Sequence, residues 1–286
     1  MIIGLTGKAG SGKDSIAEMI APTHLVEMDG TFKDVRGLLA PKKKNGTKHH
    51  EPLRIHSTQI ALADPLKEYC MRIYDFSVEQ LWGPSEKRNA PDMRYKRVND
   101  KHLLVQTKGF LVFVCERCGR VVEGKIGTTK EGTAEVTPPD IDEQCETYLT
   151  PREALQKLGT EWGRAMWEDT WIHHGLHRAK DLLQRSRLKH PEKGSAFVGS
   201  WLIESTELVV ISDVRFKNEI DAIHAVGGEV WLVQREGAGL KGAAGKHTSE
   251  TEQEGLTDLV DWTIQNDDSL DALYATVSSA LSEAGL

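Results

Sequence analysis

Apolar runs and helical patterns alternate along most of this chain. Residues 2–6 form an apolar run that ends in a glycine-rich turn, which predicts a buried strand, and residues 14–21 then predict a helix. The continuous apolar run at 208–211 is typical of a central parallel strand, and a helix near 220–226 and a strand at 230–233 follow it. This alternation predicts an α/β fold with a mostly parallel sheet.

The middle of the chain predicts further elements of the same kind. Residues 59–63 predict a strand, and a helix over 66–74 follows it. A second helix is predicted to begin at Thr150, because that residue can act as N-cap, Pro151 fits the first turn, and Glu153 can close a capping box.

The remaining segments divide into helices and loops. A helix is predicted over 167–183, and the last helix is predicted to follow Ser269. The buried face of that last helix is predicted to contain Leu270, Leu273, Tyr274, Val277 and Leu281. Residues 22–57 give no clear period, and residues 82–100 predict a polar surface loop.

Composition changes between residues 101 and 149, which predicts a small β-rich insertion within one domain that spans residues 1–286. Cys115 and Cys118 have the spacing of a zinc knuckle, and Cys145 supplies a third thiolate for a structural zinc site. A fourth ligand would have to come from a histidine or an acidic side chain, and the candidates are His102, Asp140 and Asp142. Free thiols are the alternative interpretation.

Charge and length exclude several classes of protein. The chain has 286 residues and a formal net charge of -7, which argues against direct nucleic-acid binding and against attraction to an anionic membrane. No apolar run approaches the roughly 20 residues of a membrane helix, and the first residues lack the pattern of a signal peptide. We therefore expect a cytoplasmic protein.

The turn after the first strand has the glycine-to-lysine pattern of a phosphate-binding P-loop. Its residues are Gly7, Lys8, Ala9, Gly10, Ser11, Gly12 and Lys13. Glycines let backbone N–H groups surround a phosphate, and Lys13 can bridge the β- and γ-phosphates of ATP. Asp14 follows where a magnesium-binding hydroxyl is usual, so Ser15 is the candidate Mg²⁺ ligand.

Together with later motifs, this loop resembles the bacteriophage deoxynucleoside monophosphate kinases, whose P-loop typically contains Gly-Lys-Asp. The resemblance covers most of the chain outside the insertion. The later motifs are 63–67, 83–89, 152–161, Trp171, 212–215, 247–250 and 266–267. Each is weak alone, but their order is specific.

The resemblance implies a P-loop NTPase-type three-layer fold and transfer of the ATP γ-phosphoryl group to a 2′-deoxynucleoside 5′-monophosphate, with Mg²⁺. Such a reaction needs several cations around two phosphate groups. Arg88 and Arg152 are assigned to the monophosphate, and Arg215 to the monophosphate or the transferring group. With Lys13 they make up the predicted catalytic cations.

The resemblance also implies roles for four residues on the acceptor side. Asp213 would assist Mg²⁺ or the acceptor, and Asp64 would contact the acceptor sugar or Lys13, unless it only caps its helix. Trp171 would stack on the acceptor base, with core packing as the alternative. Glu219 is either a contact to the acceptor or an ordinary charge on a helix face.

Two further features concern the donor side and the assembly. Arg235 follows a predicted strand and could lie over adenine or the ATP phosphates. A homodimer is the assembly that the resemblance suggests. Dephospho-coenzyme A kinase is the nearest alternative enzyme, although it typically carries Gly-Lys-Ser-Thr where this chain has Lys13-Asp14-Ser15. A nucleic-acid-associated ATP-binding module is the alternative from another class.

Overall fold

The structure is a computed structural model that describes most of the chain. The described residues are 1–28, 31–39, 53, 56–97, 102–107, 110–115, 121–123, 125–128, 134–137, 147–187, 206–239 and 255–286. They form two compact units. The first combines Met1–Gly83 with Leu155–Leu286, and the second is Pro84–Ala154.

A seven-stranded sheet runs through the described part of the first unit. Its strands are β1 (Ile2–Thr6), β2 (Thr23–Met28), β3 (Thr31–Asp34), β4 (Ser57–Ile60), β12 (Leu208–Ile211), β13 (Glu229–Gln234) and β14 (Trp262–Gln265). Strands β5 to β11 belong to the second unit. The spatial order is β14-β13-β1-β12-β4-β2-β3, and every neighbouring pair is parallel except β2 with β3.

The strand order makes the carboxyl end of β1 a natural binding position. Strands β12 and β13 follow one another in the chain but lie on opposite sides of β1, where Gly4 is opposite both Ile211 and Val230. Connections that diverge around one strand leave a crevice at its carboxyl end, and open α/β sheets bind ligands there.

Helices connect these strands. The described helices are α1 (Lys13–Ile20), α2 (Val35–Leu39), α3 (Asp64–Tyr74), α4 (Val78–Trp82), α5 (Ser85–Asn89), α6 (Pro151–Gln156), α7 (Thr170–Arg187), α8 (Lys217–Ala225) and α9 (Leu270–Glu283), with a π-helix (Lys157–Arg164) after α6 and a short 3₁₀ helix (Thr257–Leu259) before β14. Helix α5 lies in the second unit, and α6 spans the boundary between the two units.

Both faces of the sheet are covered, which explains why the central strands β1, β12 and β13 are mainly apolar. Successive residues of a strand point to opposite faces. Ile3 and Val210 accordingly pack in one core cluster with residues of α1 and α9. Ile2 and Val209 pack in another with residues of α7 and α8. Helices, sheet and helices therefore form three layers.

The second unit is rich in β-strands. Strand β5 (Lys96–Arg97) pairs with β11 (Thr147–Tyr148), and between them the chain forms β6 (His102–Thr107), β7 (Phe110–Cys115), β8 (Val121–Glu123), β9 (Lys125–Thr128) and β10 (Ala134–Thr137). Strands β6, β7 and β8 make an antiparallel sheet, and β9 pairs with β10. The assignment of residues 101–149 as an insertion in a single domain stays a prediction.

The predicted α/β fold with a mostly parallel sheet is confirmed, and so are the periodic elements β1, β12, α8 and β13. Residues 22–57, which gave no clear period, contain β2, β3 and α2. Residues 82–100 contain α5 and β5 in addition to loop, so the prediction of a plain loop there was wrong. Leu270 is 53% exposed, so its predicted burial was wrong as well.

Membrane-spanning segments were sought in the described part of the chain. No helix there is both long enough and apolar enough to cross a bilayer.

Candidate functional site

The turn between β1 and α1, residues 7–12, depends on its glycines. Gly7, Gly10 and Gly12 have φ angles of 139°, 80° and 101°, which residues with side chains rarely adopt. A Cβ at Gly7 would overlap the carbonyl oxygen of Val233 in the neighbouring strand. The sequence therefore allows the turn to close tightly against the carboxyl end of β13.

Lys13 begins α1 and lies against this turn. Its Nζ donates hydrogen bonds to the carbonyl oxygens of Gly7 and Lys8, the second at 2.9 Å. Anionic oxygens are stronger acceptors for an ammonium group than neutral carbonyls are. A phosphate bound in the turn would therefore compete well for this lysine.

A cavity of about 580 Å³ opens beside the turn, within the first unit. Its wall is formed by residues of the turn and by the carboxyl ends of β13 and β14. The lining includes Gly7, Lys8, Ser11, Arg235, Gly237, Gln265 and Asp267. This volume lies in the usual range for small-molecule and cofactor pockets. Arg235 is thus placed at the cavity, as a donor-side role requires.

Ser11 gives this cavity an unsatisfied polar group. The residue is 1% exposed, and its Oγ has no hydrogen-bond partner among the described residues. A buried hydroxyl without a partner costs about 1–3 kcal/mol. A ligand oxygen within reach would remove that cost, so the chemistry of the wall suits an oxygen-rich ligand.

Asp213 lies two residues after the end of β12 and fixes the neighbouring turn between β4 and α3. Its Oδ1 accepts the N–H of Leu62 at 2.6 Å, and its Oδ2 accepts the N–H of Ala63 at 3.0 Å. Burial raises the pKa of Asp213, and the carboxylate of Asp64 adds to the increase, whereas the N–H of Leu62, Lys67 and Arg215 oppose it. Asp213 is therefore an oriented carboxylate at the carboxyl edge of the sheet.

Asp64 is fully buried as the first residue of α3. Its Oδ2 accepts from the N–H of Ala61 at 2.7 Å and contacts His24 Nε2 at 2.8 Å, and its Oδ1 accepts from Trp82 Nε1 at 2.9 Å. Burial by itself would raise the pKa of Asp64, but His24, Lys67 and Trp82 hold that pKa well below its ordinary value. The carboxylate joins β2, α3 and α4.

Glu219 closes the turn after β12. Its Oε2 accepts the N–H groups of Arg215 at 2.7 Å and Phe216 at 3.1 Å, and its Oε1 is 3.7 Å from Arg164 Nη1. Burial raises the pKa of Glu219 to about 7, although these N–H groups lower it. Arg164 also stacks on the Phe216 ring, 3.7 Å from its centre. Glu219 therefore fixes the backbone at Arg215.

Trp171 is held by the π-helix. Its Nε1 donates to the carbonyl oxygen of Gly159 at 2.9 Å, and a Cβ at Gly163 would overlap its ring. The indole is only partly buried. Its packing against the π-helix is therefore shown, whereas its predicted stacking on a base stays a prediction.

Arg88 and Arg152 lie in the second unit and converge on one hydroxyl. Nη2 of each arginine is 3.4 Å from the Oγ of Ser85. Two guanidinium groups at one serine make a local concentration of positive charge suited to an anion. Sequence separates these arginines by more than sixty positions, yet the second unit brings them together.

The predicted metal ligands have different outcomes. Asp14 and Ser15 are exposed in the first turn of α1, which leaves Ser15 a candidate for Mg²⁺. Cys118 and Cys145 lie outside the described residues, and only the backbone of Cys115 is described, at the end of β7. Within the part that the structure describes, no group of three or more His, Cys, Asp or Glu residues could hold a metal ion.

Sequence reasoning gave no role to three residues that shape the site. Arg164 orders the turn after β12, His24 contacts Asp64, and Asn266 donates from Nδ2 to the carbonyl oxygen of Ser11 at 2.7 Å. Asn266 follows a strand that the sequence analysis did not assign. A polar pair directly after an alternating segment was the available signal.

Comparison with known proteins gives one full-length similarity. No family model matches the chain. Over 292 residues it is 23% identical to a protein of Acanthamoeba polyphaga mimivirus that is provisionally named a deoxynucleotide monophosphate kinase, and the match covers 99% of this chain and 97% of that protein. This similarity, which spans nearly the whole of both chains, supports a nucleotide kinase role.

Proposed function

We propose that this chain is a P-loop kinase that transfers the γ-phosphoryl group of ATP to a 2′-deoxynucleoside 5′-monophosphate. The observation that carries the proposal is the turn at residues 7–12. Its glycines have positive φ, Lys13 at the first position of α1 donates to its carbonyl oxygens, and it forms one wall of a cavity of about 580 Å³. This combination suits a nucleoside triphosphate.

The donor side would use the residues around that cavity. Backbone N–H groups of residues 7–12 and the Ser11 hydroxyl would bind the phosphates, and Lys13 would exchange its carbonyl partners for the β- and γ-phosphate oxygens. The base would occupy the cavity, with Arg235 at its rim. Mg²⁺, held with help from Ser15, would neutralise charge on the phosphates.

The acceptor side would use the carboxyl ends of β4 and β12. Asp213 and Arg215 would face the acceptor phosphate or its metal, while Glu219 and Asp64 would hold the surrounding backbone. Trp171 would contact the acceptor base. Arg88 and Arg152 keep the role that the resemblance implies, which is to bind the monophosphate.

A coupled assay for ADP release tests the proposal. The wild type is measured with ATP and Mg²⁺ against dAMP, dGMP, dCMP, dTMP and dephospho-coenzyme A. We expect turnover with at least one deoxynucleotide and a loss of roughly a hundredfold or more in Lys13→Ala, because a charge that stabilises the transition state is removed. Lys180→Ala, at an exposed position of α7, is the control and should keep full activity.

The choice of acceptors distinguishes the proposed function from its alternative. Turnover with dephospho-coenzyme A alone would assign the chain to the alternative kinase class. Inactivity of folded wild-type protein with all four deoxynucleotides would contradict the proposal.

A further inference from the structure

The pair Asn266-Asp267, directly after β14, contacts two separate walls of the cavity. Asn266 donates from its side chain to the carbonyl oxygen of Ser11 at 2.7 Å. Oδ1 of Asp267 accepts the N–H of Glu236 at 2.7 Å. Two adjacent side chains therefore hold the glycine turn and the turn after β13, both of which line one pocket.

A third hydrogen bond closes this arrangement. The N–H of Gly239 donates to the carbonyl oxygen of Ala9 at 2.9 Å, which joins the turn after β13 directly to residues 7–12. The three segments are thus connected pairwise: the end of β14 to the glycine turn, the end of β14 to the turn after β13, and those two turns to each other. We call this set of three hydrogen bonds the brace.

The brace acts on the carbonyl side of the glycine turn. It binds the carbonyl oxygens of Ala9 and Ser11. In a turn that wraps an anion, N–H groups have to face the anion, and a carbonyl oxygen that faced it would repel it. Because these two carbonyl oxygens are held by donors from other segments, the brace restrains them from rotating toward a bound phosphate.

The packing around Asn266 shows how closely it is fitted. A Cβ at Gly12 would overlap the Asn266 amide, and the backbone N–H of Asn266 donates to the carbonyl oxygen of Gln234 at 2.8 Å. The amide occupies space that exists because Gly12 has no side chain. The geometry points to Asn266 as a positioning residue that sets the phosphate affinity of residues 7–12.

This inference rests on the proposed function only in that a phosphate chain occupies the glycine turn. Asn266 itself touches the turn and acts through it. Its loss should therefore weaken binding of the phosphates, raise the KM for ATP, and leave the KM for the acceptor unchanged. A residue needed only for folding would change both constants together or lower the amount of folded enzyme.

The test compares four proteins by titration calorimetry with inorganic tripolyphosphate. They are the wild type, Asn266→Ala, Asn266→Asp, and Thr263→Ala as a control at an exposed position of the same strand. Loss of one partly buried hydrogen bond predicts about tenfold weaker binding in Asn266→Ala. Asn266→Asp keeps the shape but places a carboxylate against the carbonyl of Ser11, so a larger loss is expected. Thr263→Ala should bind like the wild type.

Thermal unfolding and steady-state kinetics of the same proteins complete the test. We expect cooperative unfolding in all four and an increase in KM for ATP alone in the Asn266 variants. Wild-type affinity for tripolyphosphate in both Asn266 variants, or loss of folding in both, would overturn the inference. So would a wild type that binds no tripolyphosphate. A wild type that binds it but phosphorylates no deoxynucleotide would refute the proposed function and leave this inference standing.

Discussion

Asp64, which is buried, and Asp213, which is partly exposed, are carboxylates at the same edge of the sheet, and their pKa values shift in opposite directions. Asp64 is paired with His24 and Lys67, which favours its ionised form. For Asp213, burial and the charge of Asp64 outweigh the groups that favour ionisation. Neighbouring carboxylates with diverging pKa values are typical of sites that handle charge. By keeping Asp64 ionised, its ion pairs add to the effect of burial, which is the largest cause of the raised pKa of Asp213.

Asp64→Asn tests the structural part of this pair. The substitution removes a buried charge from His24 and Lys67 and leaves them without their counter-ion, so we expect a loss of about 3 kcal/mol in the free energy of unfolding. Urea unfolding measures it. Asp221→Asn removes an exposed carboxylate that pairs with Lys217 at 2.6 Å and should change stability little. Equal midpoints for Asp64→Asn and the wild type would contradict the expectation.

Glu219 makes stability depend on pH. Its pKa rises from an ordinary value of 4.5 to about 7 in the folded protein, so the folded state binds the proton more tightly than the unfolded chain does. This contribution to stability is complete below the unfolded pKa, declines as pH rises through the interval between the two values, and is absent above the folded pKa.

Glu219→Gln isolates that contribution, because glutamine keeps an acceptor oxygen for the N–H groups of Arg215 and Phe216 but does not ionise. We expect the melting temperature of the variant, relative to the wild type, to increase between pH 5 and pH 8. Glu161→Gln, at an exposed position, serves as the control and should show no such trend. A flat difference for Glu219→Gln would show that this carboxyl does not titrate in the interval.

At the scale of elements, the π-helix at Lys157–Arg164 is the feature that departs furthest from the sequence pattern. Leu155, Leu158 and Trp162 have helical spacing, but the chain widens into a π-helix where Gly163 faces the ring of Trp171. As a result Trp162 is 53% exposed. π-helical turns occur preferentially at functional sites, and this one carries Arg164 to the turn after β12.

Gly163→Ala should disturb this element selectively. The added methyl group would overlap the Trp171 ring, and overpacking of this kind costs about 1–3 kcal/mol. Chemical denaturation measures the loss. Gly255→Ala is the matched control, because a Cβ there meets nothing within 4 Å. Equal free energies of unfolding for the two variants would show that the π-helix accommodates the added methyl group without strain.

An element of this fold is predictable from the sequence where its apolar and polar residues follow one clear pattern. Strands β1 and β12 are apolar on both faces and bounded by glycine or polar turns, so their positions follow from the sequence. Strands β2 and β3 contain charged residues that pair across elements, such as Asp34, whose Oδ1 accepts the N–H of His24 at 3.0 Å. Hydrogen bonds of this kind between neighbouring strands are not visible in the local pattern of apolar and polar residues.

At the scale of the whole molecule, the proposed function predicts that ligand binding raises the free energy of unfolding. A ligand that binds only the folded state stabilises it by about 2.7 kcal/mol at a hundred times its dissociation constant. We expect Mg²⁺-ATP to raise the unfolding temperature of the wild type and of Lys180→Ala. Lys13→Ala should show little increase at the same concentration. Differential scanning fluorimetry provides the measurement, and an equal increase in all three proteins would contradict the role of Lys13.

The candidate site was predictable where chemistry is local. The spacing of glycines and lysine in residues 7–13 predicted the turn at residues 7–12. The resemblance includes residues 266–267 as a motif, but the contacts of Arg164 and Asn266 were not predictable, because each reaches its partner across the fold: Asn266 is 255 positions from Ser11. The roles of Arg88 and Arg152 came from resemblance, and only their convergence on Ser85 is a structural finding.

The two outer strands of the seven-stranded sheet have a consequence for self-association. Strand β3 is four residues long and exposes Thr31 and Lys33, and β14, also four residues long, exposes Thr263 and Gln265. Short, polar edges with a lysine resist pairing with a strand from another molecule. If this protein forms a dimer, its copies should therefore meet through helices or loops. The same edges give the sheet protection against fibrillar aggregation.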